Sequence, residues 1–328
     1  MVTAKSFKFS ILWHFGKSVF IQSLLVSGFS VILFKVLEIE YIAIPFLPVA
    51  TIGTAVAFYM GFKNNQAYDR LWEARKIWGG ITNTSRNFTI MLLALVENKS
   101  EVREILYRHI AYINILRLQL RKTIPWATSE QNLHQTFVSE REELEAFDKG
   151  LKAVLERSNK MQYYEQLHSA NNAANIILRE QISHLTKLKK NKQLDEYEHS
   201  DLVKQINELF NLQGGCERIK TTPLYRQFSI FSRVFVKLFI LLIPFALLNE
   251  TNKLNAYGVW LTIPFAILIS WVFSTMEQIG EFSENPFDNS IKDVPMTTIC
   301  RNIEIDIKEL LGEENLPQKL QPINNALM

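Results

Sequence analysis

The side chains best suited to catalysis or metal binding are few in this chain, and their spacing does not bring them together. The histidines are His14, His109, His134, His168, His184 and His199. No two of them are three or four residues apart, which is the spacing that lets one helix supply two metal ligands. Cys216 and Cys300 are too few for a metal centre. The phosphate-binding and nucleophile motifs are missing. We therefore predict no enzyme activity, no cofactor and no bound metal.

Charge and hydropathy exclude one class of partner and indicate another. The formal net charge is only +3, and no patch of lysine and arginine alternates with aromatic residues, so nucleic acid is not expected as a partner. Hydrophobic residues make up 48% of the chain and cluster near both ends, so a lipid bilayer is the expected environment. We predict an N-terminal membrane half at 1–96, a cytoplasmic helical region at 97–222, a C-terminal membrane half at 223–280 and a cytoplasmic C-terminal segment at 281–328.

Four apolar runs are candidates for membrane-spanning helices, each of which needs about 20 apolar residues. Three of the runs, at about 19–34, 41–62 and 254–276, contain no charged residue. The remaining run, 238–249, is too short to span unless Arg233 and Lys237 lie within its inner turns. Lysine and arginine precede the first and third runs and follow the second, whereas the connectors at 38–40 and 250–253 are mainly acidic. The positive-inside rule therefore predicts that both termini and the central region are cytoplasmic.

The second run carries the most regular pattern in the chain. Thr54, Phe58 and Phe62 are spaced by four residues, so they form one stripe along a helix. Such a stripe either packs against another helix or lines a pore. Small residues at Gly53, Ala55, Ala57 and Gly61 would allow close helix packing. The charged residues that begin at Lys63 predict that the chain leaves the membrane there.

Beyond the second run, the sequence predicts several polar helices. Apolar residues recur at helical spacing in 102–120 and 202–212, whereas 125–135 is predicted to be a loop and Gly214–Gly215 the end of a helix. Asp69, Arg70 and Glu73 lie on successive turns after the second run. Two roles are open for them: ion pairs that brace subunits together, or direct contact with a passing ion.

The stretch GFKNNQAYDRLWEARKIWG at residues 61–79 resembles the signature GFRNNxAYDRWWEARKxWG of bacterial bestrophin homologues. Shorter blocks in the family's order also match, namely CERI at 216–219, TPL at 222–224, ENPF at 284–287, DVP at 293–295 and CRNIE at 300–304. These blocks cover both membrane halves, and little resemblance is found between about 125 and 200.

The resemblance implies an all-α membrane protein with four transmembrane helices and a cytoplasmic helical region, assembled as a homopentamer around a central pore in a bacterial inner membrane. It also implies that Thr54, Phe58 and Phe62 form a narrow neck for small monovalent ions. The family usually has a larger apolar residue at the first of these positions, so threonine predicts a wetter outer neck.

Three interpretations follow. We expect an anion channel, with chloride as an example of the ion; a monovalent cation channel of the same fold is the nearest alternative, and a non-conducting membrane scaffold is the alternative from another class. The region equivalent to the family's calcium-binding segment contains Asn285, Asp288 and Asp293, with Lys292 among them. Calcium requires six to eight oxygen ligands. We therefore predict that this degenerate segment is not a high-affinity calcium gate.

Overall fold

The computed structural model describes residues 9–122, 140–254, 257–288 and 293–322, and the regular elements in these ranges are helical. The α-helices are α1 Phe9–Lys35, α2 Phe46–Leu95, α3 Lys99–Leu120, α4 Glu140–Arg157, α5 Tyr164–His168, α6 Ala173–Lys190, α7 Glu196–Thr221, α8 Arg226–Asn252, α9 Thr262–Ser283 and α10 Met296–Leu310. Short 3-10 helices lie at Glu40–Ile42, Met161–Tyr163 and Gly258–Leu261. The all-helical prediction is confirmed for these ranges; the predicted loop at 125–135 and His134 lie outside them.

The described part of the chain contains four candidate membrane-spanning helices, the number that the sequence predicts. Four segments are long and apolar enough to cross a membrane: Gly16–Lys35, Glu40–Leu95, Arg226–Asn252 and Gly258–Glu281. The short third run lies inside α8, which begins twelve residues earlier than the run itself. Arg233, one turn before that run, donates to Glu281 Oε1 at 2.7 Å, so this cation is neutralised inside the helix packing.

The helix that contains the second span begins later than the predicted span and continues well beyond its predicted end. It begins at Phe46 rather than Tyr41, because Pro45 disfavours helical geometry in the residue before it. It then continues without interruption for 50 residues, to Leu95, which is more than twice what a bilayer requires. The charged residues from Lys63 onward therefore do not end the helix.

The chain forms two compact units, whose limits differ from the four predicted segments. The span unit contains the described residues 9–70 and 224–284, and the polar unit contains 71–223 and 285–322. The division falls within α2 at Arg70, not at residue 96, because the second part of α2 contributes Trp78, Ile81 and Phe88 to the core of the polar unit. Residues 281–284, which were predicted to belong to the C-terminal segment 281–328, are part of the span unit.

Within the span unit, the four long helices pack through apolar and small residues. Helix α1 contacts α8 and α9, and α8 contacts α9. The hydroxyl of Ser23 in α1 donates to the Ser270 hydroxyl in α9 at 3.1 Å, and both side chains are buried. Helix α2 joins a cluster of Val56, Met60 and Phe239, so α2 packs on α8 along one face.

Within the polar unit, α3 is the central element. Nearly all of its second half is buried, and it contacts α4, α6, α7 and α10. Helix starts follow local capping rules. The Asn98 side chain accepts from Ser100 N at the start of α3, and Asp195 and Glu198 form a capping box at the start of α7.

The prediction that Gly214–Gly215 ends a helix is wrong. Helix α7 continues through both glycines to Thr221. A Cβ atom on Gly215 would lie 3.0 Å from Ile77 Cδ1, and one on Gly80 would lie 2.9 Å from Leu212 Cδ2. These glycines therefore allow α2 and α7 to approach closely, and they do not mark a helix end.

Candidate functional site

Helix α2 presents two opposite faces over the length of the second span. The packed face contains Val49, Val56 and Met60, which are at most 4% exposed. Gly53 lies on the same face, directly beneath the Phe239 ring. The other face is open in the isolated chain: Leu47, Phe58 and Phe62 on it are 77%, 69% and 54% exposed. The open face of an apolar membrane helix meets lipid, meets another subunit or borders a cavity.

All three predicted neck residues lie on this open face. Thr54 is exposed, and its hydroxyl donates to the Ala50 carbonyl oxygen at 3.0 Å, so its hydrogen-bonding need is met within the helix. The rings of Phe58 and Phe62 contact each other edge to face, with centroids 4.8 Å apart and planes at 88°. Gly61 lies between them with no atom within 4 Å of its would-be side chain. The prediction of a close helix contact at Gly61 is therefore not met within one chain.

Lys63, the residue at which the chain is predicted to leave the membrane, is buried against other helices of the span unit. It is only 1% exposed, and its ammonium lies 2.6 Å from Glu277 Oε1 and 3.4 Å from Glu284 Oε1. The Ser232 hydroxyl donates to Glu277 Oε2 at 2.6 Å, and the Ser229 hydroxyl donates to Glu284 Oε1 at 2.6 Å. The sequence pattern did not reveal this network, because Lys63 lies more than 160 residues from every other member.

Asp69, Arg70 and Glu73 have different surroundings. Asp69 is exposed and Arg70 is half-buried, both at the end of the span unit. Glu73 belongs to the polar unit, where its carboxylate accepts from the Arg218 guanidinium of α7. Glu73 is therefore neutralised within its own chain. Subunit bracing and direct ion contact stay predictions for Asp69, Arg70 and Glu73.

Three residues were predicted to form a degenerate calcium segment. Asp288 accepts from Lys220 Nζ at 2.7 Å, and both side chains are largely buried. Asp293 is 4% exposed, and Asn285 is half-buried. Residues 289–292 lie outside the described ranges. Because Lys220 already neutralises Asp288, the described donors do not fit a calcium ion, which needs several free anionic oxygens.

One group of possible metal ligands occurs in the described part of the polar unit. Oxygen and nitrogen atoms of Glu101, Glu104 and His184 lie within 4.8 Å of one another. His184 Nε2 is 2.6 Å from Glu101 Oε2, while its Nδ1 is 3.0 Å from Arg108 Nη1. Arg108 also donates to Glu104 at 2.7 Å. Both ring nitrogens are thus occupied, and the arrangement works as an ion-pair network between α3 and α6.

A buried histidine and two buried cysteines elsewhere in the polar unit are held in their neutral forms. His109 is fully buried beside the Ser85 hydroxyl, and this burial lowers its pKa to about 3. Burial also raises the pKa of the Cys300 thiol to about 11, and it raises the pKa of Cys216 further still. Thiols in such surroundings are poor nucleophiles. These residues therefore support packing and not chemistry.

Comparison with known proteins decides the family. Residues 6–309 match the family described as Bacterial/Fungal Bestrophin protein. The chain belongs to the bestrophin family. This match confirms the resemblance carried by residues 61–79, and it accounts for the all-helical architecture with four membrane-capable helices.

Curated bestrophin relatives extend over most of the chain. The voltage-dependent anion channel-forming protein YneE of Escherichia coli (strain K12) is 28% identical over 275 residues, which cover 84% of this chain and 80% of the relative. The voltage-dependent anion channel-forming protein mll4386 of Mesorhizobium japonicum is 27% identical over 275 residues, 84% of this chain and 77% of that protein. The crystal structure of a bacterial bestrophin homologue from Klebsiella pneumoniae superposes with a TM-score of 0.76 at 23% identity, covering 90% of this chain and 98% of that one.

Proposed function

We propose that this bestrophin assembles as a homopentamer in a bacterial inner membrane and conducts small monovalent ions, with a preference for anions such as chloride. Both termini and the polar helical unit lie on the cytoplasmic side in this proposal. The observation that carries it is the open face of α2, on which Thr54, Phe58 and Phe62 lie opposite the packed face. Five such faces around one axis would enclose a neck lined by two phenylalanine rings per subunit.

The physical behaviour of such a neck follows from its apolar lining. A bare ion cannot enter hydrocarbon cheaply, so ions must pass with much of their hydration shell. Where the rings come close enough to exclude water, the neck is closed by dewetting, and a small widening restores conduction. Thr54 would be the wettest ring of the three, because its hydroxyl oxygen keeps a lone pair beyond the bond to Ala50.

One observation favours anions. Relatives of 27–28% identity carry names that describe anion channel formation. Ring faces are negative and attract cations, whereas ring edges are positive. A preference for anions therefore requires that the ring edges of Phe58 and Phe62 point at the pore axis.

The test is the reversal potential of the purified protein in planar bilayers under a KCl gradient. We expect a value near the chloride equilibrium potential. Replacing Phe58 by alanine should enlarge the neck and raise the conductance or change the selectivity. Phe29→Ala is the matched control, because Phe29 is a comparably exposed phenylalanine, at 58%, on α1 instead of α2.

Each outcome separates the alternatives. A reversal near the potassium potential would keep the channel and assign it to cations. Wild-type and Phe58→Ala assemblies that carry no current, although they are intact pentamers, would favour the non-conducting scaffold. An equal effect of Phe29→Ala and Phe58→Ala would refute the assignment of the neck to α2.

A further inference from the structure

We propose that Lys63 is a positioning residue, and that the buried cluster formed by Lys63, Glu277, Glu284, Ser229 and Ser232 sets the rotation of α2 about its own axis. This cluster is called the α2 clamp below. The inference rests on the proposed function, because it concerns which side chains of α2 reach the pore axis. Phe58 and Phe62 stay on the open face because Lys63 is held on the packed face.

The clamp connects three helices through charged and directional contacts. Lys63 on α2 meets Glu277 on α9 and Glu284 directly after α9, and each carboxylate is also bound by a serine hydroxyl of α8. Separating the buried ammonium from its carboxylates would leave unpaired charges away from water, which is strongly unfavourable. The clamp therefore resists any movement that separates Lys63 from α9.

The next residue reinforces this attachment. Asn64 Nδ2 donates to the Met276 carbonyl oxygen at 3.0 Å. A Cβ atom on Gly280 would lie 2.0 Å from Asn64 Oδ1, so only glycine allows α9 to approach α2 this closely. Two consecutive residues of α2 thus bind α9 immediately after the last neck residue, Phe62.

The remaining contacts of α2 in the span unit restrict rotation less. Val56 and Met60 pack in an apolar cluster, and apolar contacts have little directionality. Successive residues of an α-helix are about 100° apart. A turn of this size about the helix axis would bring Tyr59 to the position of Phe58 and replace a phenyl edge by a phenol. In the structure Tyr59 is held against Phe228, with ring centroids 5.1 Å apart.

The test compares the reactivity of cysteines introduced singly at positions 58 and 59 of the full-length assembly, using a small methanethiosulfonate reagent. With Lys63 present, Phe58→Cys should react faster than Tyr59→Cys. Removing one partner of a buried ion pair changes an equilibrium by on the order of 100- to 1,000-fold. Since Asn64 still binds α9, we expect Lys63→Met to raise the reactivity at position 59, relative to position 58, by about tenfold.

Rescue and control variants separate positioning from general damage. Lys63→Arg keeps the charge and should restore the wild-type reactivity ratio, which loss of stability alone would not explain. Lys35→Met removes an exposed lysine at the end of α1 and should leave the ratio unchanged. If Lys63→Met does not assemble, the double variant Lys63→Met with Glu277→Gln removes both charges of the closest ion pair, leaves Glu284 bound by the Ser229 hydroxyl, and allows the same measurement.

Correctly sized assemblies in which the ratio is unaltered by Lys63→Met, or by the double variant, would overturn the inference. The labelling does not depend on ion flow. A wild-type protein that carries no current would therefore refute the proposed function while the reactivity ratio still decides whether the clamp sets the rotation of α2.

Discussion

The contrast between Gly53 and Gly61 gives the sharpest test of how α2 is oriented in the span unit. Both residues lie in one helix, eight positions apart, and each can be replaced by alanine. A Cβ atom at position 53 would lie 2.6 Å from Phe239 Cε2 and 2.8 Å from Cζ, whereas one at position 61 would have no neighbour within 4 Å. The same chemical change therefore meets a buried ring at one site and open space at the other.

The expected magnitudes follow from these distances. Carbon atoms in contact prefer about 3.5–4.0 Å, so Gly53→Ala requires a movement of about 1 Å. Phe239 is 4% exposed and packs on Phe273 at 4.6 Å, so the ring has little room. Overpacking of this kind costs about 1–3 kcal/mol, against a gain of up to about 1 kcal/mol from the helix propensity of alanine. Gly61→Ala has the gain in helix propensity without the cost of overpacking.

The assay is the thermal stability of the purified assembly in detergent, followed by the loss of the oligomer peak in size-exclusion chromatography. We expect Gly53→Ala to be less stable than Gly61→Ala by about 1–3 kcal/mol. Adding Phe239→Leu, which shortens the ring, should recover part of the loss caused by Gly53→Ala. Equal stability of the two single variants, or no recovery in the double variant, would refute the assigned orientation of α2.

Two further predictions concern the polar unit. The pKa of His109 is about 3 when folded and about 6.5 when unfolded, so its contribution to stability is present above pH 6.5 and is lost as the pH falls towards 3. Unfolding measurements should show that the free energy of unfolding falls by about 2–3 kcal/mol between pH 7 and pH 4.5. His109→Gln should reduce this loss, whereas the exposed control His168→Gln should not. An equal loss in the two variants would contradict the prediction. Burial raises the pKa of Cys216 and Cys300, so neither thiol should react with a disulfide reagent at pH 8 until the protein is denatured, whereas Tyr197→Cys, at an 82%-exposed site, should react at once. A native thiol that reacts in the folded protein would count against this assignment.

Several features of the site could be read from the chain because they depend on neighbours along one helix. The absence of charge in 41–62 and 254–276 predicted two spans, since crossing a bilayer depends mainly on the length of an apolar run. The four-residue spacing of Phe58 and Phe62 predicted that the two rings share a face, and their centroids lie 4.8 Å apart. The predicted pore role of that face stays a proposal.

Other features were misjudged or missed because the residues that decide them are distant in sequence. Gly214–Gly215 suggested a helix end, yet α7 continues to Thr221 and Gly215 packs closely on Ile77. The partners of Lys63 are two glutamates more than 200 residues later, and helical spacing could not reveal them. The same holds for Glu101 and Arg108, which occupy the ring nitrogens of His184 from another helix.

The sequence by itself determined the family, the helical class and the positions of the apolar runs, because short motifs, hydropathy and helical periodicity depend on local order. Only the tertiary structure decided which face of α2 is packed and which is open. Helical spacing puts Thr54, Phe58 and Phe62 on one face, but it does not say whether that face meets another helix. The answer came from α8, whose Phe239 ring covers Gly53 and so leaves the opposite side of α2 exposed. Burial depends on partners that folding brings from elsewhere in the chain, and those partners have no fixed sequence distance.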